Sequence, residues 1–229
     1  MTNRQRFFLN GIMLTAVGLA IRSVSLTFNS FITQSIGAEG IGLFTLISTV
    51  YSFAVTFATS GISLTVTRIV SSAIGEGRER EVRGILRSAV TYSLVFSIFA
   101  SLVLFFGADY FAYTVLSDGR CRLPLRILSL SLVPIALSSV FSGYFVGVKR
   151  VGKNAVVQIF AQVFKITITA AFVLRFARLG VREGTVALCI SISLTEISVF
   201  LVALLQYVVD KRKHFPNPSQ HQSRIGDVS

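Results

Sequence analysis

Apolar residues fill most of this chain in six long runs, broken by short clusters of glycine and charge. About 20 mainly apolar residues, roughly 17–25, carry a helix across a bilayer. The runs fall at 8–35, 43–70, 85–107, 125–148, 155–176 and 185–209. The segment IGAEGIG (36–42) separates the first two, and GEGREREVRG (75–84) follows the second. A connection with Asp109, Asp118, Gly119 and Pro124 leads to the fourth run; KRVGKN (149–154) and RLGVREG (178–184) mark the later turns. The pattern predicts an all-α, polytopic membrane protein, a six-transmembrane-helix bundle over residues 1–209. Residues 210–229 are polar, hold two prolines, and read as a disordered tail.

Within the runs the polar residues are periodic. Thr15, Gly18, Arg22, Ser25, Asn29 and Thr33 step by three and four along the first. Thr45, Thr49, Ser52, Thr56, Thr59 and Ser63 do so along the second. The fifth carries Gln158, Gln162, Lys165 and Thr169, and the sixth Thr185, Cys189, Ser193 and Glu196. That spacing places each set on one helical face. Small polar residues at such positions serve either as packing contacts between membrane helices or as the lining of a cavity. The stripe of the second run fits both readings. The stripes with Arg22, or with Lys165 and two glutamines, point to a cavity.

Composition supports the membrane reading. The chain is 52% hydrophobic and 14% charged, against about 25% charged in soluble domains. Its mean hydropathy is +0.71. The basic start (Arg4, Arg6) runs into apolar sequence without a small-residue cleavage site, so the first run reads as a span that stays attached. Cys121 and Cys189 suggest no disulfide framework. The net charge of +12 reflects basic loops and anionic head groups rather than nucleic acid. With the N-terminus inside, fourteen of the 22 lysines and arginines fall on inner segments and six on outer ones. Both termini are therefore expected to be cytoplasmic. In GEGREREVRG the plain reading is a solvated helix start.

Arg22, Lys165 and Glu196 lie deep within their runs. An ionisable residue at the bilayer centre costs about 2.5–3.5 kcal/mol on insertion scales and faces a partner or a watery cavity. Lys165 and Glu196 fall at similar depth on consecutive antiparallel helices, as a structural bridge or as part of a site. Arg22 has no acid in its own or a neighbouring run, and its planar guanidinium suits an anionic, phosphate-like ligand. The candidate cavity residues are Arg22, Asn29, Gln158, Gln162, Lys165 and Glu196. His214 and His221 both lie in the tail and no serine neighbours a His or Asp, so no catalytic or metal-binding cluster is expected. Neither enzyme activity nor a cofactor is expected.

Several segments resemble one family. The stretch from Arg22 through SIGAEGIGLFTLI, the second run ending TSGISLTVTRIVSSAIGEGREREVRGILRSA, and VPIALSSVFSGYFVGVKRVGKNAVVQIFAQVFKI (133–166) are similar to the stage V sporulation protein B and polysaccharide-biosynthesis flippase family, part of the multidrug/oligosaccharidyl-lipid/polysaccharide exporter superfamily. The resemblance covers about residues 8–205. It implies a flippase that moves a lipid-linked oligosaccharide or peptidoglycan precursor across the bacterial cytoplasmic membrane by alternating access, in cell-wall or spore-cortex synthesis. It also implies that basic residues of a central cavity, Arg22 among them, meet the carrier's pyrophosphate. Family members often have further basic residues about seven and twelve positions on, where this chain has Asn29 and Gln34.

Members of that family have two pseudo-symmetric bundles, and six spans resemble one lobe. The expected partners are a lipid-linked sugar pyrophosphate, membrane lipids, and a second bundle from another copy or a separate chain. The alternatives are a cation-coupled multidrug exporter using Glu196, and an inactive truncated or structural membrane protein.

Overall fold

The computed structural model describes residues 3–78, 81–149, 151–176 and 180–214. Among them every regular element is helical. The helices are α1 (Asn3–Thr59), α2 (Ile62–Gly75), α3 (Val82–Tyr110), α4 (Arg122–Ser129), α5 (Leu132–Gly147), α6 (Val151–Phe176) and α7 (Val181–His214). A wide π turn (Phe111–Val115) extends α3, and a tight turn (Gly119–Cys121) leads into α4.

Four helical stretches are long and apolar enough to cross a membrane: Ser25–Gly75, Val82–Val115, Asn154–Phe176 and Val181–Asp210. The bent pair α4–α5 supplies a fifth. The first stretch has 51 residues. At 1.5 Å per residue it would run about 77 Å if straight, more than twice a hydrocarbon core of about 30 Å. Gly37 divides it, with φ 80° and ψ 170° inside otherwise helical backbone. Only glycine adopts that conformation without strain. The break is thus a single residue, narrower than the seven-residue turn IGAEGIG suggests, because residues 38–42 have already re-entered helix.

Other ends also differ from the sequence boundaries. The second run continues past 70, after a break at 60–61, to Gly75 as α2. The fourth is not one straight helix but two, bent by 42°. Pro134, in the first turn of α5, has no N–H to give the carbonyl four residues back, which releases the backbone there. Hydroxyls brought in from other helices add hydrogen bonds around the bend, where a membrane interior offers no water to do so. Ser101 Oγ donates to the Ser129 carbonyl (2.7 Å) and Ser193 Oγ to the Ile127 carbonyl (3.1 Å). Tyr51 and Ser131 share a hydrogen bond of 2.7 Å. α7 stays helical to His214, past the expected end at 209, while residues 215–229 of the expected tail lie outside the described residues.

Small residues set the tightest contact. Gly143 and Gly147, one turn apart on α5, press against α2. A Cβ at Gly143 would stand 2.6 Å from the Ser63 carbonyl oxygen, and one at Gly147 would stand 2.9 Å from Val70 Cβ. Across this seam Thr67 Oγ1 donates to the Gly143 carbonyl (3.0 Å) and Ser71 Oγ to the Gly147 carbonyl (3.2 Å). Backbone approach through small residues is how membrane helices gain packing energy without a hydrophobic drive.

Two main clusters of apolar side chains make the core. One joins Leu43, Ile47 and Ala58 of α1 to Leu104, Leu125 and Cys189. The other joins Val66 and Val70 of α2 to Leu86, Phe141, Phe145 and Ala203. A smaller cluster ties the first arm of α1 (Phe28, Ile32, Ile36) to Val173 and Leu188. Ion pairs gather at one end: Glu39 meets Arg120 at 2.7 Å, Arg120 meets Asp118 at 2.9 Å, and Asp109 takes both Arg126 (3.1 Å) and Arg122. The opposite end holds Arg78, paired with Glu76 (2.5 Å) and Glu81 (2.8 Å), and buried Asp210, which accepts from Tyr144 Oη at 3.0 Å.

Candidate functional site

A cleft of about 320 Å³ opens among α1, α5, α6 and α7. Its polar lining is Thr59 of α1, Ser138, Ser139 and Ser142 of α5, and Asn154 and Gln158 of α6. Val55, Ile135, Phe145 and Val199 supply apolar wall. Ser142 Oγ donates to Asn154 Oδ1 at 2.9 Å. Ser138 Oγ is buried and has no hydrogen-bond partner. Among the described residues no Lys, Arg, Asp or Glu lines the cleft.

From this cleft the polar stripe of α6 continues along the helix. Gln158, at the cleft, is exposed. Gln162, one turn on, donates from Nε2 to Ser25 Oγ at 2.7 Å. Lys165 is exposed, and Thr169 is 2% exposed with its hydroxyl unpartnered. The stripe therefore meets the polar face of α1 at one defined point. Asn29, one turn beyond Ser25, is exposed. Arg22 lies three residues before Ser25 in helical backbone; its side chain is outside the described residues.

Glu196 of α7 is half-buried. Lys165 is near enough to act electrostatically on its carboxylate, and Glu196 acts in turn on Tyr51 of α1. No ion pair within 4.0 Å joins Lys165 to Glu196, both of which are described residues. The two charges share a neighbourhood without forming a closed bridge. The structure thus brings Gln158, Gln162 and Lys165 onto one strip of α6, sets Glu196 opposite Lys165, and couples the strip to α1 through Ser25.

Sequence periodicity left out the serines of α5 and of its N-cap, Ser131. Ser131, Ser138, Ser139 and Ser142 step by seven, one and three residues. Their run through an otherwise apolar helix was the available signal. Among the described residues no group of three or more His, Cys, Asp or Glu side chains forms a metal site. Thr45, Thr49 and Thr56 of α1, although on a polar stripe, are exposed and turn their hydroxyls back to carbonyls four residues earlier, at 2.8–3.0 Å.

These features define a multi-pass, all-α membrane protein with a polar strip and cleft inside an apolar bundle. The polysaccharide biosynthesis protein family matches residues 8–225, and the chain belongs to that family. It is 29% identical over 217 residues to stage V sporulation protein B of Bacillus subtilis (strain 168), covering 93% of this chain and 42% of that protein. It is 27% identical over 139 residues to the lipid II flippase MurJ of the same organism, covering 57% of this chain and 26% of that protein. The chain spans less than half the length of these relatives. No solved structure matches it.

Proposed function

We propose that this chain is one bundle of a flippase that moves a lipid-linked sugar diphosphate across the bacterial cytoplasmic membrane. The observation that carries the reading is the strip Gln158–Gln162–Lys165, which leads from a cleft lined among the described residues by neutral side chains to a cationic group, and is tied to the Arg22-bearing arm of α1 by the Gln162–Ser25 bond. A fixed positive charge beside neutral hydrogen-bonding groups is the chemistry a sugar diphosphate requires. Lys165 and Arg22 would meet the diphosphate, Arg22 with its bidentate fork. Asn29, Gln158 and Gln162 would contact neutral parts, and Glu196 would hold Lys165 in place. The work is binding and movement, not bond-making.

In this reading the chain crosses the membrane six times, its first helical stretch being divided at Gly37. Both termini face the cytoplasm. The count of Lys and Arg, fourteen on inner segments against six on outer ones, supports that orientation. The exposed threonines of α1 and the exposed Lys165 are costly against hydrocarbon. A second bundle, from another copy or another polypeptide, would cover them. The name of the relative MurJ favours lipid II as the class of cargo. A cation-coupled drug exporter would need Glu196 as a free acid in the cavity, and the nearby Lys165 opposes that.

The test is flipping of a fluorescent lipid-linked oligosaccharide in vesicles containing the chain and its covering bundle. Lys165→Ala and Arg22→Ala are expected to abolish flipping at unchanged protein level. Arg22→Lys should recover only part, because charge returns without the fork. Full activity in both alanine variants would refute the reading.

A further inference from the structure

We infer that a groove between α2 and α3 holds the acyl chain of an anionic phospholipid whose head group is held by Arg68 and Arg87. This surface lies away from the strip of α6, and its role stands independently of the flippase reading.

The groove follows from how α2 packs. Gly143 and Gly147 draw α2 tightly against α5. Its other flank faces α3 without closing on it, so Ile69 and Tyr92 stay 45% and 54% exposed. A groove of about 560 Å³ remains between the two helices. Ile62, Val66 and Ile69 of α2 and Ile85 and Ala89 of α3 form its apolar walls, with Tyr92 and three smaller hydroxyl side chains completing the lining. On α3 it runs from Ile85 to Tyr92, about 10 Å along the axis. That length lies within one leaflet of a hydrocarbon core about 30 Å thick. Aromatic rings mark its deep end: Tyr92 and Phe96 have centroids 4.4 Å apart, and Phe96 meets Phe57 at 6.3 Å.

The shallow end carries the charge. Residues 88–107 of α3 include no Asp, Glu, Lys or Arg, and twenty helical residues cover about 30 Å, the whole hydrocarbon core. Arg87 therefore stands at the edge of that core. Arg68 precedes Ile69, which lines the same end of the groove as Ile85. Both arginines are exposed. Among the described residues neither has a carboxylate within 4.0 Å, whereas Arg78 nearby is paired with Glu76 and Glu81. Two cations without acids, at head-group depth beside an apolar groove, complement a lipid phosphate and its chain. Free phosphate would leave the groove unfilled. A neutral lipid would fill it and leave both guanidiniums without a counter-ion.

The chain contains no tryptophan, so a single introduced one reports on its own surroundings. The experiment reconstitutes the full chain in dioleoylphosphatidylcholine vesicles and titrates in brominated dioleoylphosphatidylglycerol, which quenches tryptophan on contact. At Tyr92→Trp, quenching should show a preference for the anionic lipid of at least about fivefold, the effect of one basic residue near an anionic surface. Leu205→Trp is the control: Leu205 is exposed on α7, two residues from Ala203, which packs with Val66 and Leu86 at the same end of the bundle. There the two lipids should quench with equal affinity. In the Tyr92→Trp chain, Arg68→Ala/Arg87→Ala should abolish the preference, and Arg68→Lys/Arg87→Lys should keep it, which separates lost charge from misfolding. Ala89→Phe should abolish it with both arginines in place, by filling the groove. Equal preference at the two tryptophans would overturn the inference. So would a preference that survives either the alanine pair or Ala89→Phe, or one that the lysine pair also loses.

Discussion

α3 and α6 are both long apolar helices, yet they face different solvents. α3 turns Tyr92, Val95, Phe99, Leu102 and Phe106 outward, with Phe106 74% exposed, and its buried side carries Ser93, Ser97, Ala100 and Leu104. α6 has an outward apolar side as well, in Val156, Ile159 and Val163. On its other side, however, it exposes Gln158 and Lys165 and joins α1 through Gln162. α3 is a wall against lipid, whereas α6 is a wall with one polar face. Lipid tolerates the first arrangement and penalises the second unless another surface or water covers it. Polarity alone does not separate the two helices, since α3 also contains serines. Polarity left exposed and aligned does.

A charge scan tests this contrast most strongly. Phe99→Lys, on the lipid wall, is expected to cost about 2.5–3.5 kcal/mol of insertion, read as lost membrane-integrated protein. Thr49→Lys, on the exposed polar stripe of α1, should leave that yield nearly unchanged. Equal losses would show that both faces meet lipid.

Next in size is the α2–α5 seam, which holds the polar side of the bundle in register. Gly143→Leu would drive side-chain atoms into the Ser63 backbone. Overpacking of this kind costs about 1–3 kcal/mol, seen as a lower unfolding temperature in detergent. The matched change Gly152→Leu, where nothing lies within 4 Å of a built Cβ, should have little effect.

Lys165 and Glu196 offer a finer test. Because they share a neighbourhood without an ion pair within 4.0 Å, a double-mutant cycle should give a coupling of about 0.5–1 kcal/mol, near the lower bound for interacting residues. The double variant should lose less stability than the sum of the two single losses. Strict additivity would show that the two do not interact.

The smallest effect belongs to the ion-pair end. Hydrogen bonds from Arg120 hold the Asp118 carboxyl below its ordinary value. A depressed carboxylate stabilises the fold above its unfolded pKa and loses that contribution as pH falls through the folded value. Thermal stability should therefore fall slightly below about pH 3.9, the unfolded reference, and Arg120→Ala should remove that part of the fall. An unchanged acid limb in Arg120→Ala would show that Asp118 contributes nothing there.

Much of the molecule was legible in the sequence. The length and hydropathy of each run set helix against bilayer, because a helix satisfies its own backbone in hydrocarbon. The steps of three and four placed Gln158, Gln162 and Lys165 on one face before any coordinates were needed. The serines of α5 were not singled out, because hydroxyls in an apolar helix look the same whether they bond their own backbone, plug a bend or line a cleft. Ser131 takes part in the bend through Tyr51, whereas Ser138 lines the cleft without a partner. Which one does which depends on neighbours distant in the chain.

The sequence by itself determined that the protein is helical, that it crosses the membrane repeatedly, that the segment IGAEGIG interrupts its first long stretch, and which faces are polar. Each of these follows from interactions among residues a few positions apart. Only the tertiary structure decided that Gln162 meets Ser25 across 137 positions of chain, that α4 and α5 bend by 42°, and that Thr59, Ser138, Asn154 and Gln158 line one cleft. Those meetings depend on how glycines and bends let whole helices approach one another. That approach is a balance over many packed side chains, and no local periodicity encodes it.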